Sequence, residues 1–90
     1  MNIGKIKFEW DPIKSLWLKS NRGISFEELT ERAFIADREH PMRGGQRLLF
    51  YLREDYIWVV PAVDNGDYYF LKTTYASRKY TRIYFKEGCL

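Results

Sequence analysis

The sequence predicts one α+β domain, in which an antiparallel sheet carries two helices packed on one face, in the order β-α-α-β-β-β with a short C-terminal helix. Three observations predict it. An alternating N-terminal stretch is followed by two segments that each open with a helix cap. Three later runs rich in aromatic and β-branched residues are joined by tight turns. The stretch from Tyr68 to Phe85 then changes from strand-like to helical spacing midway.

The first strand runs from Ile3 to Trp10, with Ile6, Phe8 and Trp10 on one side as in a half-buried strand. Asp11-Pro12 supplies an N-cap followed by proline at the first helical position. Ile13, Leu16, Trp17 and Ser20 form a helical stripe, and Asn21-Arg22-Gly23 stops it. Ser25-Phe26-Glu27-Glu28 has the form of a capping box. It predicts a second helix that turns Phe26, Leu29, Ala33 and Ala36 to the core and Glu27, Glu28 and Glu31 outward. Residues 37 to 46 lack periodicity, contain proline and two glycines, and predict a loop. Arg47 to Leu52 and Tyr56 to Val63 read as strands joined through Arg53-Glu54-Asp55, and Asp64-Asn65-Gly66-Asp67 is the next turn. A strand from Tyr68 to Tyr75 completes the meander. Ser77 then caps a short helix with Tyr80, Ile83 and Tyr84 on one face and Arg78 and Arg82 on the other.

With 46% hydrophobic and 18% aromatic residues, the chain has material for one small core. Its charge of +3 is unevenly spread. Residues 25 to 39 hold Glu27, Glu28, Glu31, Asp37 and Glu39 against Arg32 and Arg38, whereas residues 68 to 90 hold Lys72, Arg78, Lys79, Arg82 and Lys86 against Glu87. That basic end suits a polyanion, although a charge run alone equally fits a solvated helix face. The single cysteine, Cys89, offers neither an internal disulfide nor a multi-thiolate metal site. No apolar run reaches the length of a membrane span and no signal-peptide pattern opens the chain, so a cytoplasmic protein without membrane contact is expected.

One histidine, one cysteine and scattered carboxylates show no metal-ligand spacing, and no serine sits in a nucleophile elbow. No metal and no cofactor are expected. Arginines, lysines, tyrosines and one histidine remain, a set able to cleave RNA without a metal. In that chemistry the ribose 2′-hydroxyl attacks the adjacent phosphate, so one proton is accepted, another is donated and charge on the phosphorane is stabilised. Arg78 and Arg82 are the candidate phosphate clamps, Lys72 and Lys79 the electrostatic or proton-transfer partners, and His40 a further acid or base. Tyr75 and Tyr84 are candidate stacking platforms for unpaired bases, and Arg47 joins the cluster across the sheet. Each has a plainer reading. Lys72 equally fits a solvent-facing strand residue, Arg47 an edge charge, and the tyrosines core or rim positions. Arg78 and Lys79 cannot point the same way, and Arg82 shares a face with Arg78. His40, before Pro41, fits a hydrogen bond that orders its loop better than it fits chemistry.

Phe8-Glu9-Trp10-Asp11-Pro12 followed by Ile24-Ser25-Phe26-Glu27-Glu28 resembles the opening of the BrnT-type toxins of bacterial toxin-antitoxin pairs. His40-Pro41, Gln46-Arg47, Val59-Val60-Pro61, Phe70-Leu71-Lys72-Thr73 and Ser77-Arg78-Lys79 are similar to a related group of small predicted toxins. The resemblance covers nearly the whole chain. It departs at Ala76, where that second group often has proline, and at Met42-Arg43-Gly44 after His-Pro.

The resemblance implies a RelE/ParE-like fold and a toxin of a type II toxin-antitoxin system. Its activity would be that of a metal-independent endoribonuclease that inhibits translation by cutting mRNA, free or on the ribosome. Arg47, Lys72, Arg78 and Lys79 match the recurring basic positions. A cognate antitoxin is the implied partner, and the aromatic residues Trp17, Tyr51 and Trp58 are expected to mark its docking surface. Two other classes stay open. A ParE-like member inhibits DNA gyrase by binding, and a nucleic-acid-binding or partner-binding module has no activity at all.

Overall fold

The computed structural model describes residues 7–86, with side chains as far as Tyr84. Residues 3 to 6 of the expected first strand, the side chain of Lys86, and Glu87 and Cys89 lie outside the described residues. The elements are β1 Lys7–Trp10, α1 Pro12–Arg22, α2 Phe26–Leu29, β2 Ala33–Glu39, β3 Gln46–Arg53, β4 Tyr56–Asp64, β5 Tyr68–Leu71, β6 Tyr75–Ala76 and α3 Arg78–Thr81. A π-helical turn, Arg82–Lys86, continues α3. The sheet runs β1-β5-β4-β3-β2, with β6 also pairing β4.

The α+β class agrees with the sequence, but three features differ from the expected layout. The sheet is mixed, because β1 pairs β5 in parallel, Phe8 beside Tyr69 and Trp10 beside Leu71. The two-helix connection after β1 carries the chain across one face, so the strand that closes the meander meets β1 running the same way. The second helix is a single turn. Its capping box forms as expected, with Glu28 N–H donating to Ser25 Oγ and Ser25 N–H to the Glu28 carboxylate, but it ends at Leu29. The chain then enters strand β2, where more helix and a loop were expected.

The cause lies in β2. A bulge shifts the register between Phe34 and Ala36, so Phe34 opposite Tyr51 and Asp37 opposite Leu49 share a face at a spacing of three. That spacing imitates a helix, whereas the bulged strand gains sheet hydrogen bonds and an edge-to-face contact between Phe34 and Tyr51, rings 5.6 Å apart.

The first helix is capped as expected, Ile13 N–H donating to Asp11 Oδ1 and Gly23 closing it at φ 82°. Its inner face is not the expected one. Ser15 and Leu18 are buried, while Ile13, Leu16 and Trp17 are exposed. Ser15 is held inside because its hydroxyl accepts from Phe26 N–H and donates to Glu27, locking the start of α2 to α1. Leu18, Ile24, Phe26 and Leu29 then pack on Leu49, Tyr51, Trp58, Val60, Ala62, Tyr69 and Leu71. The opposite face of the sheet is not bare. Leu48, Phe50, Ile57 and Val59 are covered by Tyr80 and Tyr84 of the C-terminal helical segment. The sheet is therefore sandwiched, with two helices on one face and the C-terminal segment on the other.

Both expected hairpin turns form. Gly66 sits at φ 87°, and Asp64 accepts from its N–H. Glu54 and Asp55 both take positive φ, 52° and 65°, to close β3 onto β4 in two residues. Glycine is the preferred residue at the second of these positions, so Asp55→Gly is expected to stabilise the fold by about 0.5–1 kcal/mol. Urea unfolding followed by circular dichroism would register it as a higher midpoint at unchanged slope. Among the described residues, no helix is long and apolar enough to cross a membrane.

Candidate nucleic-acid interface

The last strand stops earlier than its composition suggests. β5 ends at Leu71, and residues 72 to 74 interrupt the regular ladder, Lys72 N–H still donating to Pro61 C=O, before β6 resumes pairing with β4, Tyr75 opposite Val59. Thr74 anchors this stretch, because its buried hydroxyl donates to Val59 C=O while its own carbonyl accepts from Arg22. Beyond β6 the edge of β4 is closed by α3 itself. Ser77 N–H donates to Ile57 C=O, and Ile57 N–H donates to the Thr81 hydroxyl, which in turn donates to Ser77 C=O. Ser77 also caps α3 by accepting from Tyr80 N–H. Two hydrogen bonds thus tie this short helix to Ile57 at the end of β4, and two more brace its cap and first turn.

That fixation brings Arg78 and Arg82 together. One turn apart, at the start of α3 and at the start of the π-helical turn that continues it, both are exposed, and with Tyr56 and Thr81 they line a cleft of about 490 Å³. Among the described residues, no carboxylate lines it. A second, adjoining cleft shares Tyr56 and is lined by Arg53, Glu54, Trp58 and Ala76. There the Arg53 guanidinium lies 5.4 Å from the Trp58 ring centre. Two arginines around a phenol, open to solvent, make a site for a phosphate diester beside an unpaired base.

The other candidates stand apart from this cleft. Lys72 is exposed, but its N–H pairs with Pro61 and that of Ser77 with Ile57, four residues away on β4. The two backbones are thus separated by about 13 Å, and the strand does not deliver Lys72 to the helix. Lys79 is exposed and lies over the Tyr80 ring at 5.3 Å, off the cleft. Tyr75 is 40% exposed and open to stacking; burial and then the nearby Tyr80 raise its pKa. Tyr84 is no platform, since it is buried against Phe50 with ring centres 5.5 Å apart. Tyr51 and Trp58 are likewise core residues, so the docking surface expected on them reduces to Trp17. His40 accepts the Met42 N–H through Nδ1 at 3.0 Å, the loop-ordering role its sequence setting favours.

Arg47 does not line this cleft, nor is it an edge charge. It belongs to the interior strand β3, and its Nε donates to Asp37 Oδ1 at 2.9 Å, while Tyr69 OH donates to Asp37 Oδ2 at 2.9 Å. Asp37 holds the Arg47 pKa above its ordinary value. Burial, then the carboxylate, pushes Tyr69 up to about 12, and burial followed by the same charge does so for Tyr51. Both phenols are therefore retained in the neutral form by the fold. Stability is fully present below the unfolded tyrosine value of about 10 and falls as pH rises from there towards 12. Melting temperatures between pH 8 and 11, read beside tyrosinate absorbance, are expected to drop only above pH 10.

Tyr56 and Arg53 are the cleft residues that sequence reasoning missed. The two-residue turn places them opposite each other at one end of the hairpin. Nothing in the sequence signals that α3 returns to that end. Among the described residues, no three His, Cys, Asp or Glu side chains converge to hold a metal ion. Compared with known proteins, the chain matches no protein-family model, no curated protein and no solved structure.

Proposed function

We propose that this chain is the toxin of a type II toxin-antitoxin pair, a metal-independent endoribonuclease of RelE/ParE-like fold that inhibits translation. The observation that carries the RNA reading is the cleft that Arg78 and Arg82 line together with Tyr56 and Thr81, without a carboxylate among the described lining residues. The two guanidiniums clamp the scissile phosphate and stabilise the charge that grows on its oxygens as the 2′-oxygen attacks. The Thr81 hydroxyl is already committed to Ser77 and Ile57, which leaves the Tyr56 hydroxyl to move a proton. Tyr56 protonates the departing 5′-oxygen, the 2′-hydroxyl proton passes to water, and the products are a 2′,3′-cyclic phosphate and a 5′-hydroxyl end. Tyr75 offers a stacking face further along the same segment.

A second reading rests on the separation of Lys72, His40 and Arg47 from the cleft. With so few reacting groups gathered, the cleft also serves a module that binds RNA and does no chemistry. Tyr56→Phe distinguishes the two. Under the nuclease reading it retains RNA affinity and loses on the order of 10²-fold in cleavage; under the binding reading nothing changes. Induced expression with total RNA examined in parallel extends the test. Arrest with fragmented RNA supports the toxin, arrest with intact RNA points to a gyrase-type target, and no arrest leaves the binding module.

A further inference from the structure

The face of the sheet turned away from α1 and α2 is only half covered. Residues directly opposite each other in a ladder share a face, so the register assigns this one. Leu48, Phe50, Ile57 and Val59 lie on it beneath Tyr80 and Tyr84. Beyond them the same face continues through Pro61 and Val63 to Phe70, which stands opposite Val63, and to Tyr68 two residues before it. Neither ring belongs to a core cluster, and both are half-buried. Two exposed cations flank them. Lys7 is opposite Tyr68, and Lys72 shares the face of Phe70 because its N–H continues the β5 ladder onto Pro61. Among the paired strand residues of this face, Glu9, opposite Phe70, is the one carboxylate. Further along the same edge Tyr75 lies on this face opposite Val59, 40% exposed, and the chain then enters α3 at Arg78. Tyr68, Phe70, Lys72 and Tyr75 thus form one line that leads to Arg78. Phe70 and Ser77 meet β4 at Val63 and Ile57, so this stretch of the line is about 20 Å long.

We propose that this line is a track for single-stranded RNA, in which unpaired bases stack on Phe70 and Tyr68 while Lys72 and Lys7 neutralise phosphates. The track extends the binding site from the Arg78–Arg82 cleft across the open half of the sheet. It rests on the RNA reading of that cleft, and adds a footprint of several nucleotides held by their bases. The chemistry selects the occupant. Side chains two residues apart on one face are about 7 Å from each other, so a ring followed by a cation meets a base and then a neighbouring phosphate. A duplex keeps its bases stacked on one another and offers no free base face. A purely apolar partner would desolvate Lys7 and Lys72 and give them nothing to pair with.

The test titrates the full chain into two labelled dodecamers, read by fluorescence anisotropy. Both carry methylated 2′-oxygens that block cleavage; one is made of uridines and the other is abasic. The wild type is expected to bind the uridine strand at least about tenfold more tightly. Phe70→Leu, which keeps an apolar side chain without a ring, and Tyr68→Ala are each expected to weaken the uridine strand by about fivefold or more and to leave the abasic strand unchanged. The abasic strand also controls for folding, because a misfolded variant would lose both. Lys72→Ala is expected to weaken both strands alike, since it meets the backbone. Equal affinity of the wild type for the two strands overturns the track, as does uridine-strand affinity that Phe70→Leu and Tyr68→Ala leave intact. In either case the cleft still stands if Arg78→Ala/Arg82→Ala weakens binding. If neither strand binds, the RNA reading of the cleft falls together with the track. Self-association of the wild type that Phe70→Leu abolishes would assign the face to a second copy and overturn the track as well.

Discussion

Replacing Arg78 and Arg82 together by alanine is expected to abolish RNA cleavage and to flatten the salt dependence of RNA binding. Each guanidinium neutralises one phosphate, and each phosphate contact removed lowers the slope of log K against log salt by about 0.7 for a single strand. The double variant therefore loses roughly 1.4 of that slope, uniformly across RNA sequences, because phosphate contacts carry no sequence information. Loss of fixed charge from the phosphorane reduces cleavage by on the order of 10²–10³ for each donor removed. The fold should survive. Both side chains are exposed, and α3 is fixed by Ser77, Thr81 and backbone groups rather than by its arginines. Lys72→Ala is the instructive comparison, since Lys72 lies off the cleft and its loss is expected to alter the slope without touching the chemistry.

The largest effect on stability is expected from Asp37→Ala. Asp37 has only 6% of its side chain exposed and holds two partners, the Arg47 guanidinium and the Tyr69 hydroxyl. Removing it leaves a cation and a phenol without their acceptor. The expected loss is about 3 kcal/mol, the low end for breaking a buried pair, because Arg47 keeps 28% side-chain exposure. In a domain of this size that lowers Tm by on the order of 15 °C. The double variant Asp37→Ala/Arg47→Met removes the orphaned charge as well and is expected to recover part of the loss, which thermal melts of the four-member cycle would measure. A single variant no worse than the double would show that the pair is solvated and structurally idle.

How far the sequence could be read depends on whether a feature is local. Asp11, Ser25 and Ser77 cap their helices as expected, and Gly23 and Gly66 take the positive φ their settings demand, because each is decided within a few residues. The orientation of α1 was not legible. Ile13, Leu16 and Trp17 form the better apolar stripe, yet the buried side is chosen by Ser15, whose value lies in partners eleven and twelve residues away. The identity of β2 was hidden by its bulge. The candidate site was half legible. The pairing of Arg78 with Arg82 follows from helical spacing, whereas the placement of Tyr56 beside them depends on Ile57 binding Ser77 and Thr81 across the sheet edge. The expectation that Lys72 and Arg47 join the cluster failed for the same reason. A basic residue's place in the sequence does not say which end or face of the sheet it serves.

The most direct measurement incubates the purified chain with a fluorescent single-stranded RNA in the presence of a chelator and resolves the products. Cleavage is expected to persist without divalent metal, to leave 2′,3′-cyclic phosphate ends, and to disappear in the Arg78→Ala/Arg82→Ala variant. RNA that is bound with steep salt dependence and recovered intact would contradict the nuclease reading, and would make this fold a binding module.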